Sequence, residues 1–508
     1  MFGFFSAQDF FLVIFALIFV WGLFRRSRRN APLPPGPRGL PLIGNLVDMP
    51  SEKEWFTFAR WAKEYGDIAS VSILGQRIVI VNSAQVAMDM LDKKSSIFSD
   101  RPVVTMGGEL VGWKKILGLM PYGARFRNYR RRAHQLFGNN AAMKQFLPME
   151  ELETHRFLKR LLDKPDDLST HIRKTAGAII LQITYGYEIQ EDEDPFVELA
   201  EQAMHQFSLS VASGGFLVNL VPSLRYIPDW FPGAEFKRIA KRWASTLSDM
   251  VEKPYDYVKQ KMAIREARIS FTSKQLDAGV NAEEEVDLKW LAASLYAGGA
   301  DTTVASIYAF FKAMLLFPEV QAKAQAEIDA VVGNDKLPGF DDRERLPYIN
   351  ALVLEVSRWH TIAPTGIPHC VTEDDVHSGY FIPKGSIVLA NIWKMLHDPA
   401  VYDKPFEFRP ERFIRTEDKE PEFDPYNVSF GFGRRICPGR VLADASIFIS
   451  CAMVLAVFNI SKYREGGIVF EPDTETTSGT VSHPTPFKCT IKPRSEKALG
   501  LINEERFA

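Results

Sequence analysis

Residues 286–317 (VDLKWLAASLYAGGADTTVASIYAFFKAMLLF) constrain the fold of this chain more than any other segment. They are apolar on nearly every side, and a helix that is hydrophobic all round belongs in the core of a large protein. The segment therefore predicts one long helix that crosses the interior of a domain large enough to surround it.

Most of the remaining chain also has helical patterns. Residues 83–98 begin with a serine cap, and residues 122–137 form a basic helical stretch. Shorter strand-like pieces lie near 77–83, 367–372, 379–389 and 486–492. Together these patterns predict a mainly α fold with small β-sheets.

The middle of the long apolar segment, AGGADTT, is costly for a buried helix. Each glycine costs roughly 1 kcal/mol relative to alanine, and a buried carboxylate must be paired or hydrogen-bonded. One interpretation is a helix crossing that the glycines permit, with Thr302 and Thr303 bonding back to preceding carbonyls. The other is a widened groove in which Asp301 and Thr302 pass protons to a bound molecule.

The composition excludes several classes of protein. A net charge of −2 gives no reason to expect a nucleic-acid partner. Four scattered cysteines, none in a CxxC pair, argue against a disulfide framework or a zinc ribbon. We find no second linker and no repeat, so residues 50–508 are expected to form one large domain.

The N-terminus predicts a membrane anchor. An unbroken apolar run from Phe10 to Phe24, extended upstream by FGFF, is followed directly by RRSRR. A cleavable signal would need its positive charge before the apolar run and a small-residue cleavage site after it, and neither is present. Residues 1–29 are therefore expected to span a membrane once, with the bulk of the chain on the cytosolic side. Residues 30–49 contain five prolines and are expected to form a stiff hinge.

A single cysteine, Cys437, lies in the glycine-rich and arginine-containing stretch FGFGRRICPG. A thiolate is a strong ligand for haem iron, and glycines let a backbone approach the flat macrocycle closely. Arginines suit the anionic haem propionates, and a helix that begins after Pro438 would favour a negative sulfur. A buried structural thiol is the alternative, but it explains neither the glycines nor the arginines. The stretch predicts haem ligation by Cys437.

Two further motifs precede the cysteine stretch, EVSR at 355–358 and FRPERF at 408–413. FGFGRRICPG is similar to the signature FxxGxRxCxG of the cytochrome P450 family. In the same order along the chain, GGADTT resembles the family's oxygen-activating helix motif, EVSR its ExxR element and FRPERF its PERF element. The resemblance covers essentially the whole chain. It is to the microsomal type and, through DWFPGAEFKRIAKRW and NIWKMLHDP, to fungal enzymes of secondary metabolism.

The resemblance implies a role for each matching residue. Cys437 matches the axial thiolate of heme b, and Asp301 with Thr302 matches the acid–alcohol pair that supplies protons during O2 activation. Three residues match a buried charge cluster that braces the cysteine loop: Glu355, Arg358 and Arg412.

Three more residues match positions that hold the haem propionates: Arg130, His369 and Arg435. Phe126 stands where the family usually has tryptophan, and phenylalanine has no N–H to donate. One propionate contact of the family is therefore not expected here, although Arg130 can still serve.

The resemblance also implies a reaction. A haem-thiolate monooxygenase inserts one oxygen atom of O2 into a C–H bond, or across a double bond, of a small lipophilic substrate. Electrons are expected from NADPH through the membrane-bound NADPH–cytochrome P450 reductase, with cytochrome b5 as an optional second donor. The expected location is the endoplasmic reticulum membrane, with the catalytic domain on its cytosolic face.

Two other functions remain as alternatives. A haem-thiolate isomerase or dehydratase acting on peroxides has less need of an acid–alcohol pair, and a haem-binding sensor or carrier would show no NADPH-dependent turnover. The candidate pocket segments are mostly apolar: 101–125, 200–235, Leu295, Tyr296, Ile362 to Thr365, and 478–484. A terpenoid is the favoured substrate, and an aromatic or indole-type metabolite is the second choice.

Overall fold

The computed structural model describes residues 31–212 and 215–504, so the predicted membrane anchor, residues 1–29, lies outside the described residues. The α-helices of the described residues are α1 (Glu54–Tyr65), α2 (Ala84–Ala87), α3 (Ser95–Phe98), α4 (Ala124–Phe137), α5 (Asn140–Met143), α6 (Leu147–Asp163), α7 (Leu168–Tyr185), α8 (Pro195–Val211), α9 (Leu217–Leu220), α10 (Glu235–Ala263), α11 (Phe271–Asp277), α12 (Ala282–Leu316), α13 (Pro318–Val331), α14 (Pro347–Trp359), α15 (Ile392–Leu396), α16 (Tyr426–Ser429), α17 (Arg440–Val457) and α18 (Glu496–Asn503). Shorter turns are π-helical at Met88–Lys93 and Thr105–Val111, and 3-10 at Trp113–Lys115, Pro165–Asp167, Pro222–Tyr226, Phe340–Arg345, Pro410–Phe413 and Gly433–Arg435.

The strands are short and form small sheets, as the sequence predicts. They are β1 (Ile68–Ile73), β2 (Gln76–Val81), β3 (His369–Cys370), β4 (Asp375–His377), β5 (Tyr380–Ile382), β6 (Ile387–Ala390), β7 (Phe458–Lys462), β8 (Arg464–Glu465), β9 (Ile468–Val469) and β10 (Cys489–Pro493). One sheet has the order β1–β2–β6–β3, in which β2 and β6 are parallel, and three two-stranded ribbons pair β10 with β7, β4 with β5 and β8 with β9.

The predicted strand near 379–389 is two strands that belong to different sheets. β5 and β6 are separated by a turn in which the Ser386 amide donates to the Pro383 carbonyl at 3.1 Å. Gly385 in this turn has a φ of 79°, a left-handed conformation that glycine adopts without steric cost. β6 then pairs His369 with Val388, which fixes one of the predicted site residues within the sheet.

The long helix α12 crosses the interior as one unbroken helix. Asn281 caps its N-terminus by accepting from the amides of Glu283 and Glu284, and Glu284 bonds back to the Asn281 amide. The buried side chains of residues 288–297 belong to one hydrophobic core, and those of residues 304–315 belong to a second. The AGGADTT motif therefore lies where the two cores meet.

The proline-rich segment packs against the domain in its described part. The Ser70 amide in β1 donates to the Pro35 carbonyl at 2.7 Å, and the Ser70 hydroxyl donates to the Pro34 carbonyl at 2.7 Å. A Cβ on Gly36 would lie 2.0 Å from the Ser70 carbonyl oxygen, so glycine permits this close approach. Residues near 34–36 thus extend along the sheet edge, whereas the prolines alone indicated a spacer.

Within the described residues, α17 is by itself long and apolar enough to cross a membrane. However, 72% of its most apolar window is buried inside the domain. Its side chains fill the second hydrophobic core together with those of α12. We therefore assign α17 as a core helix.

Candidate haem-thiolate site

The two glycines of the AGGADTT motif have different surroundings. A Cβ on Gly299 would lie 2.8 Å from Ile180 in α7, so this glycine allows α7 and α12 to cross closely. A Cβ on Gly298 would meet no described atom within 4 Å. The helix-crossing interpretation therefore explains Gly299, and the groove interpretation suits Gly298.

Thr302 and Asp301 make different contacts. The Thr302 hydroxyl donates to the Gly298 carbonyl at 2.8 Å, the back-bond that the helix-crossing interpretation predicts. Asp301 instead accepts from Arg173 of α7 at 3.4 Å and lies 3.1 Å from Nε2 of His483. Adjacent positions on a helix point about 100° apart, so the acid and the alcohol face different neighbours.

The carboxyl of Asp301 is held in its charged form. Burial opposes that charge, but the hydrogen bond and charge of His483, followed by those of Arg173, outweigh it and lower the carboxyl pKa. Neither partner was identified from the sequence. No local pattern joins residues of α7 and of the C-terminal segment to the middle of α12.

A cavity of about 1060 Å³ lies beside Asp301. It is bounded by α8, by Arg173 and by the loop of residues 477–483, and neither Cys437 nor Thr302 is among its lining residues. The predicted pocket segments 200–235 and 478–484 contribute to this cavity, whereas 101–125 and 362–365 do not.

The cysteine loop is built by local backbone bonds. The Cys437 amide donates to the Phe430 carbonyl at 2.8 Å, and Gly431 and Gly433 have φ values of 76° and 51°. A Cβ on Gly433 would lie 2.4 Å from the Leu91 carbonyl oxygen, so this glycine also allows the loop to approach the π-helical turn. α17 begins at Arg440, directly after the loop, as the sequence predicts.

The Cys437 side chain is accessible to solvent, although enough protein surrounds the sulfur to disfavour its charged form. Burial raises the pKa of its thiol, while the Gly439 amide, Arg130 and Arg440 act in the opposite direction. The sulfur thus has one backbone donor and two nearby cations that favour its thiolate form. A metal ion at this position would deprotonate the thiol outright.

The three predicted members of the charge cluster meet in the core. Arg358 donates two hydrogen bonds to the Glu355 carboxylate, from Nε at 2.7 Å and from Nη2 at 2.8 Å, and both side chains are fully buried. Arg412 donates to the same carboxylate at 3.2 Å and to Glu422 at 2.6 Å. Glu422 is a fourth member that sequence reasoning missed.

This cluster fixes the chain that leads into the cysteine loop. Arg358 also donates to the carbonyls of Leu396 and Pro405, and its guanidinium lies 5.3 Å from the ring centre of Tyr402. The Tyr402 hydroxyl in turn donates to the Phe423 carbonyl at 3.0 Å. The cluster therefore connects α14 to the segment that precedes α16 and Cys437.

Three guanidinium groups lie near one another with carbonyl partners. Arg435 donates to Ser99 and Met120, and Arg130 donates to the Ile436 carbonyl in the cysteine loop. Arg101, which sequence reasoning missed, donates to the carbonyls of 118, 367 and 368. Burial lowers the pKa of each group, and to about 10 for Arg435.

Phe126 stands where the family usually has a tryptophan, so its ring has no N–H that could donate a hydrogen bond. The Arg435 guanidinium lies 3.8 Å from the centre of the buried Phe126 ring. A guanidinium over an aromatic face is attracted by the ring's quadrupole. Phenylalanine at this position therefore orients Arg435 and does not donate a bond of its own.

His369 lies next to the same arginines. Its Nδ1 is 2.7 Å from the Phe98 carbonyl oxygen, so Nδ1 carries the proton and donates. Burial, with the charge of Arg101 added, lowers the pKa of His369 to about 3. With that proton on Nδ1, Nε2 of the neutral ring can only accept a hydrogen bond, and donation from Nε2 to a carboxylate requires the charged imidazole, which a nearby anion favours.

The residues present fit a haem. Arg101 and Arg435 are buried and Arg130 is half-buried, and among the described residues none of the three forms an ion pair within 4 Å. The charge of Asp100 favours Arg101 and Arg435 from farther away. Burying a cation without a paired anion costs several kcal/mol. Two propionates would supply the missing anions, and the exposed Cys437 sulfur would supply the iron ligand. Haem bound there supplies the iron at which O2 is activated. The fold and the site together define a haem-thiolate protein.

Comparisons with known proteins agree with this class. The family model described as Cytochrome P450 matches residues 34–491. Cytochrome P450 monooxygenase 208 of Postia placenta is 53% identical over 491 residues, which are 97% of this chain and 96% of the relative. Cytochrome P450 monooxygenase claR of Ampulloclitocybe clavipes is 49% identical over 477 residues, 94% of this chain and 89% of the relative. The chain belongs to the cytochrome P450 family, and it is a haem-dependent monooxygenase, an oxidoreductase.

Proposed function

We propose that this monooxygenase hydroxylates or epoxidises a small lipophilic metabolite, with a terpenoid favoured, in fungal secondary metabolism. The reaction consumes R–H, O2, NADPH and one proton, and it yields R–OH, water and NADP+. Electrons reach the protein from NADPH through a membrane-bound reductase, with cytochrome b5 as an optional second donor. The observation that carries the proposal is the exposed Cys437 sulfur in its glycine-rich loop, on which the charges of Arg130 and Arg440 act and in which Arg435 is buried.

The apolar character of the segments near α12 supports a lipophilic substrate. Met106, Val111, Trp113 and Leu117 are buried in the same core as Leu295 of α12. The Leu117 amide also donates to Ser294 of α12 at 3.0 Å, which keeps this segment against the helix. An aromatic or indole-type metabolite is the second substrate class that such a wall would accept.

Product profiling separates these substrate classes. Cells that co-express the protein and a reductase are fed terpenoid, aromatic and indole scaffolds, and extracts are compared with those of cells carrying Cys437→Ala. Oxygenated terpenoids that appear only with the wild-type protein would support the proposal. Products from the aromatic scaffolds alone would assign the second class, and reductase-independent rearrangement of a peroxide would indicate an isomerase.

We expect Thr302→Ala to uncouple the reaction. The Thr302 hydroxyl can leave its bond to Gly298 and hold a proton near the O2 that is being reduced, and Asp301 can relay a proton to it. Without the hydroxyl, NADPH consumption should continue while less product and more hydrogen peroxide form per NADPH. Asp301→Asn should instead slow the whole cycle because proton supply falls. The measurement is NADPH consumed, product formed and peroxide released, with the scaffold found by profiling.

Ser306→Ala is the matched control, because Ser306 makes the same kind of back-bond to Thr302 one helical turn later. Its coupling should equal that of the wild-type protein. Unchanged coupling in Thr302→Ala would mean that AGGADTT serves helix packing alone or that another donor replaces the threonine.

The proposed location is the endoplasmic reticulum membrane, with residues 1–29 as a single-pass anchor and the domain on the cytosolic face. The apolar run and the arginines after it support the anchor. In the described part of the chain, three exposed side chains near α9 and the turn after it support a second contact. They are Leu217, Tyr226 and Trp230, with exposed fractions of 63%, 73% and 80%.

Deleting residues 1–29 should release much of the protein from membranes and leave haem binding intact. The exposed aromatic segment should keep a remainder attached, and Trp230→Ser in the truncated protein should reduce that remainder. The measurement is the fraction of protein in the membrane pellet, with the carbon monoxide difference spectrum as the check on haem binding. A mature wild-type N-terminus near Asn30 would contradict the anchor and indicate a removed signal peptide.

A further inference from the structure

The Asp301 carboxylate faces a cavity on one side of α12. The cavity beside it has a volume of about 1060 Å³ and carries charged groups of both signs on its wall. Those groups come from five parts of the fold: Arg173, Glu198, Glu201, His205, Asp249, Lys253, Asp301 and His483. Apolar side chains such as Phe196, Leu199 and Phe207 form the rest of the wall, and the charged groups suit water and mobile protons beside Asp301.

His483 reaches Asp301 from a loop whose shape is fixed. The Thr477 amide donates to the His483 carbonyl at 2.7 Å, and the His483 amide donates to the Thr477 hydroxyl at 2.9 Å. Between them, the Ser482 amide donates to the Ile362 carbonyl at 2.8 Å, and the buried His360 lies 2.9 Å from the Ser482 carbonyl oxygen. These bonds fix the backbone of His483 and of the residue before it, and the fixed backbone keeps the imidazole beside Asp301.

We propose that His483 is a positioning residue that acts through Asp301: it keeps the carboxylate on the cavity side of α12 and passes it protons from cavity water. The proposal rests on the proposed function, in which Asp301 supplies the protons that O2 cleavage consumes. In the step itself, the Nε2–H bond of the protonated imidazole breaks and an O–H bond forms at Asp301. The neutral imidazole then regains a proton from a hydronium ion of the cavity water, which leaves neutral water, and Asp301 returns to its carboxylate when it passes its own proton on.

The other groups near Asp301 do not fit this role. Arg173 donates to the carboxylate at 3.4 Å, but a guanidinium does not release its proton in proteins, and it is shared with Glu201 at 3.3 Å. His205 lines the same cavity and is exposed, yet it has no described contact with Asp301. Imidazole is the side chain that changes charge near neutral pH, and His483 is the imidazole at 3.1 Å.

The groups that face His483 come from each element packed against the loop. α12 supplies Asp301, α7 supplies Arg173 as a second partner of Asp301, and His360 follows the end of α14. Around the same cavity, α8 supplies Glu198, Glu201 and His205, and α10 supplies Asp249 and Lys253. Burial lowers the pKa of His360 to about 4, so this second imidazole stays neutral through the physiological range. A pH profile that changes when His483 is replaced can therefore be assigned to His483 and not to His360.

The test compares His483→Gln with His205→Gln, a histidine of the same cavity, and with Asp301→Asn. Each full-length, haem-loaded protein is mixed with the reductase, NADPH and O2, with no added substrate. Under these conditions NADPH, H+ and O2 yield NADP+ and H2O2, or two NADPH, two H+ and O2 yield two NADP+ and two H2O. Oxygen uptake, NADPH consumed per O2 and the H2O/D2O rate ratio are measured across pH about 6 to 8, where imidazole titrates.

The proposal expects oxygen uptake by His483→Gln to fall about tenfold or more, the low end of what a lost proton-transfer group costs after water substitutes for it. The wild-type rate should decline as pH rises, since fewer imidazoles carry a proton, and the H2O/D2O ratio should be larger in His483→Gln. That variant should also lose the pH dependence, whereas His205→Gln should keep it. A carbon monoxide difference spectrum equal to that of the wild-type protein verifies that a variant has bound haem through its thiolate. If His483→Gln does not bind haem, His483→Asn is used in its place.

Wild-type rates and pH profile in His483→Gln, with a slow Asp301→Asn, would overturn this inference and leave the acid assignment intact. Wild-type behaviour in both variants would overturn the role of Asp301 under the proposed function as well. Equal losses of oxygen uptake in His483→Gln and His205→Gln would also overturn the inference about His483. The loss would then come from a change in the cavity as a whole and not from the residue that lies 3.1 Å from Asp301.

Discussion

Cys437→Ala is expected to abolish the red-shifted Soret band that the reduced protein gives with carbon monoxide. The band arises from a thiolate ligand on haem iron, and the only thiol in the described cysteine loop is that of Cys437. Without it, Arg101, Arg130 and Arg435 can still hold the propionates, so part of the haem should remain bound with an altered spectrum. The measurement is the difference spectrum together with haem per protein.

Cys370→Ala is the matched control for this change. Cys370 is half-buried in β3, and its amide donates to the Asp100 carbonyl at 2.8 Å, a bond that alanine keeps. Its spectrum should match that of the wild-type protein. A red-shifted band that persists in Cys437→Ala would show that another residue binds the iron.

Arg358→Ala is expected to yield little or no haem-loaded protein. It leaves Glu355 fully buried with Arg412 as its remaining cation, and it frees the carbonyls that Arg358 binds. Breaking a buried pair by removing one partner costs about 3 to 5 kcal/mol, a large part of the stability of an ordinary domain. The measurement is soluble yield, haem content and the midpoint of denaturant unfolding.

Arg358→Lys and Arg415→Ala sharpen this test. Lysine keeps the positive charge but cannot make the bidentate hydrogen bonds to Glu355. Arg358→Lys should therefore recover only part of the stability that Arg358→Ala loses. Arg415 pairs with Glu420 at the surface, where both side chains are 72% exposed, and such pairs contribute about 0 to 1 kcal/mol. Normal yield and spectrum in Arg358→Ala would mean that the Glu355 cluster does not support the cysteine loop.

Local patterns predicted most of the elements that carry the site. The length and the all-round apolar composition of residues 286–317 placed α12, and the serine and glycine signals placed the start of the 83–98 helices and the cysteine loop. The start of α17 was predicted from Pro438 and from the apolar run that follows it. Errors occurred where a short turn divides a pattern, as between β5 and β6.

The sequence by itself determined the family, the order of the motifs and the identity of Cys437, because each depends on residues that are neighbours in the chain. It left open whether AGGADTT serves packing or chemistry. The tertiary structure assigned different surroundings to two residues of that motif: Gly299 faces Ile180, whereas Asp301 faces His483 and a cavity of about 1060 Å³.

Only the tertiary structure brought Arg101 beside Arg435, placed the Phe126 ring under the Arg435 guanidinium and added Glu422 to the buried cluster. These residues belong to segments far apart in sequence, and none carries a distinguishing local pattern. Whether a charged side chain is buried, and which group compensates it, depends on what other segments pack around it. Local periodicity encodes which face of a helix is apolar, but it does not encode the partner that a buried charge will find.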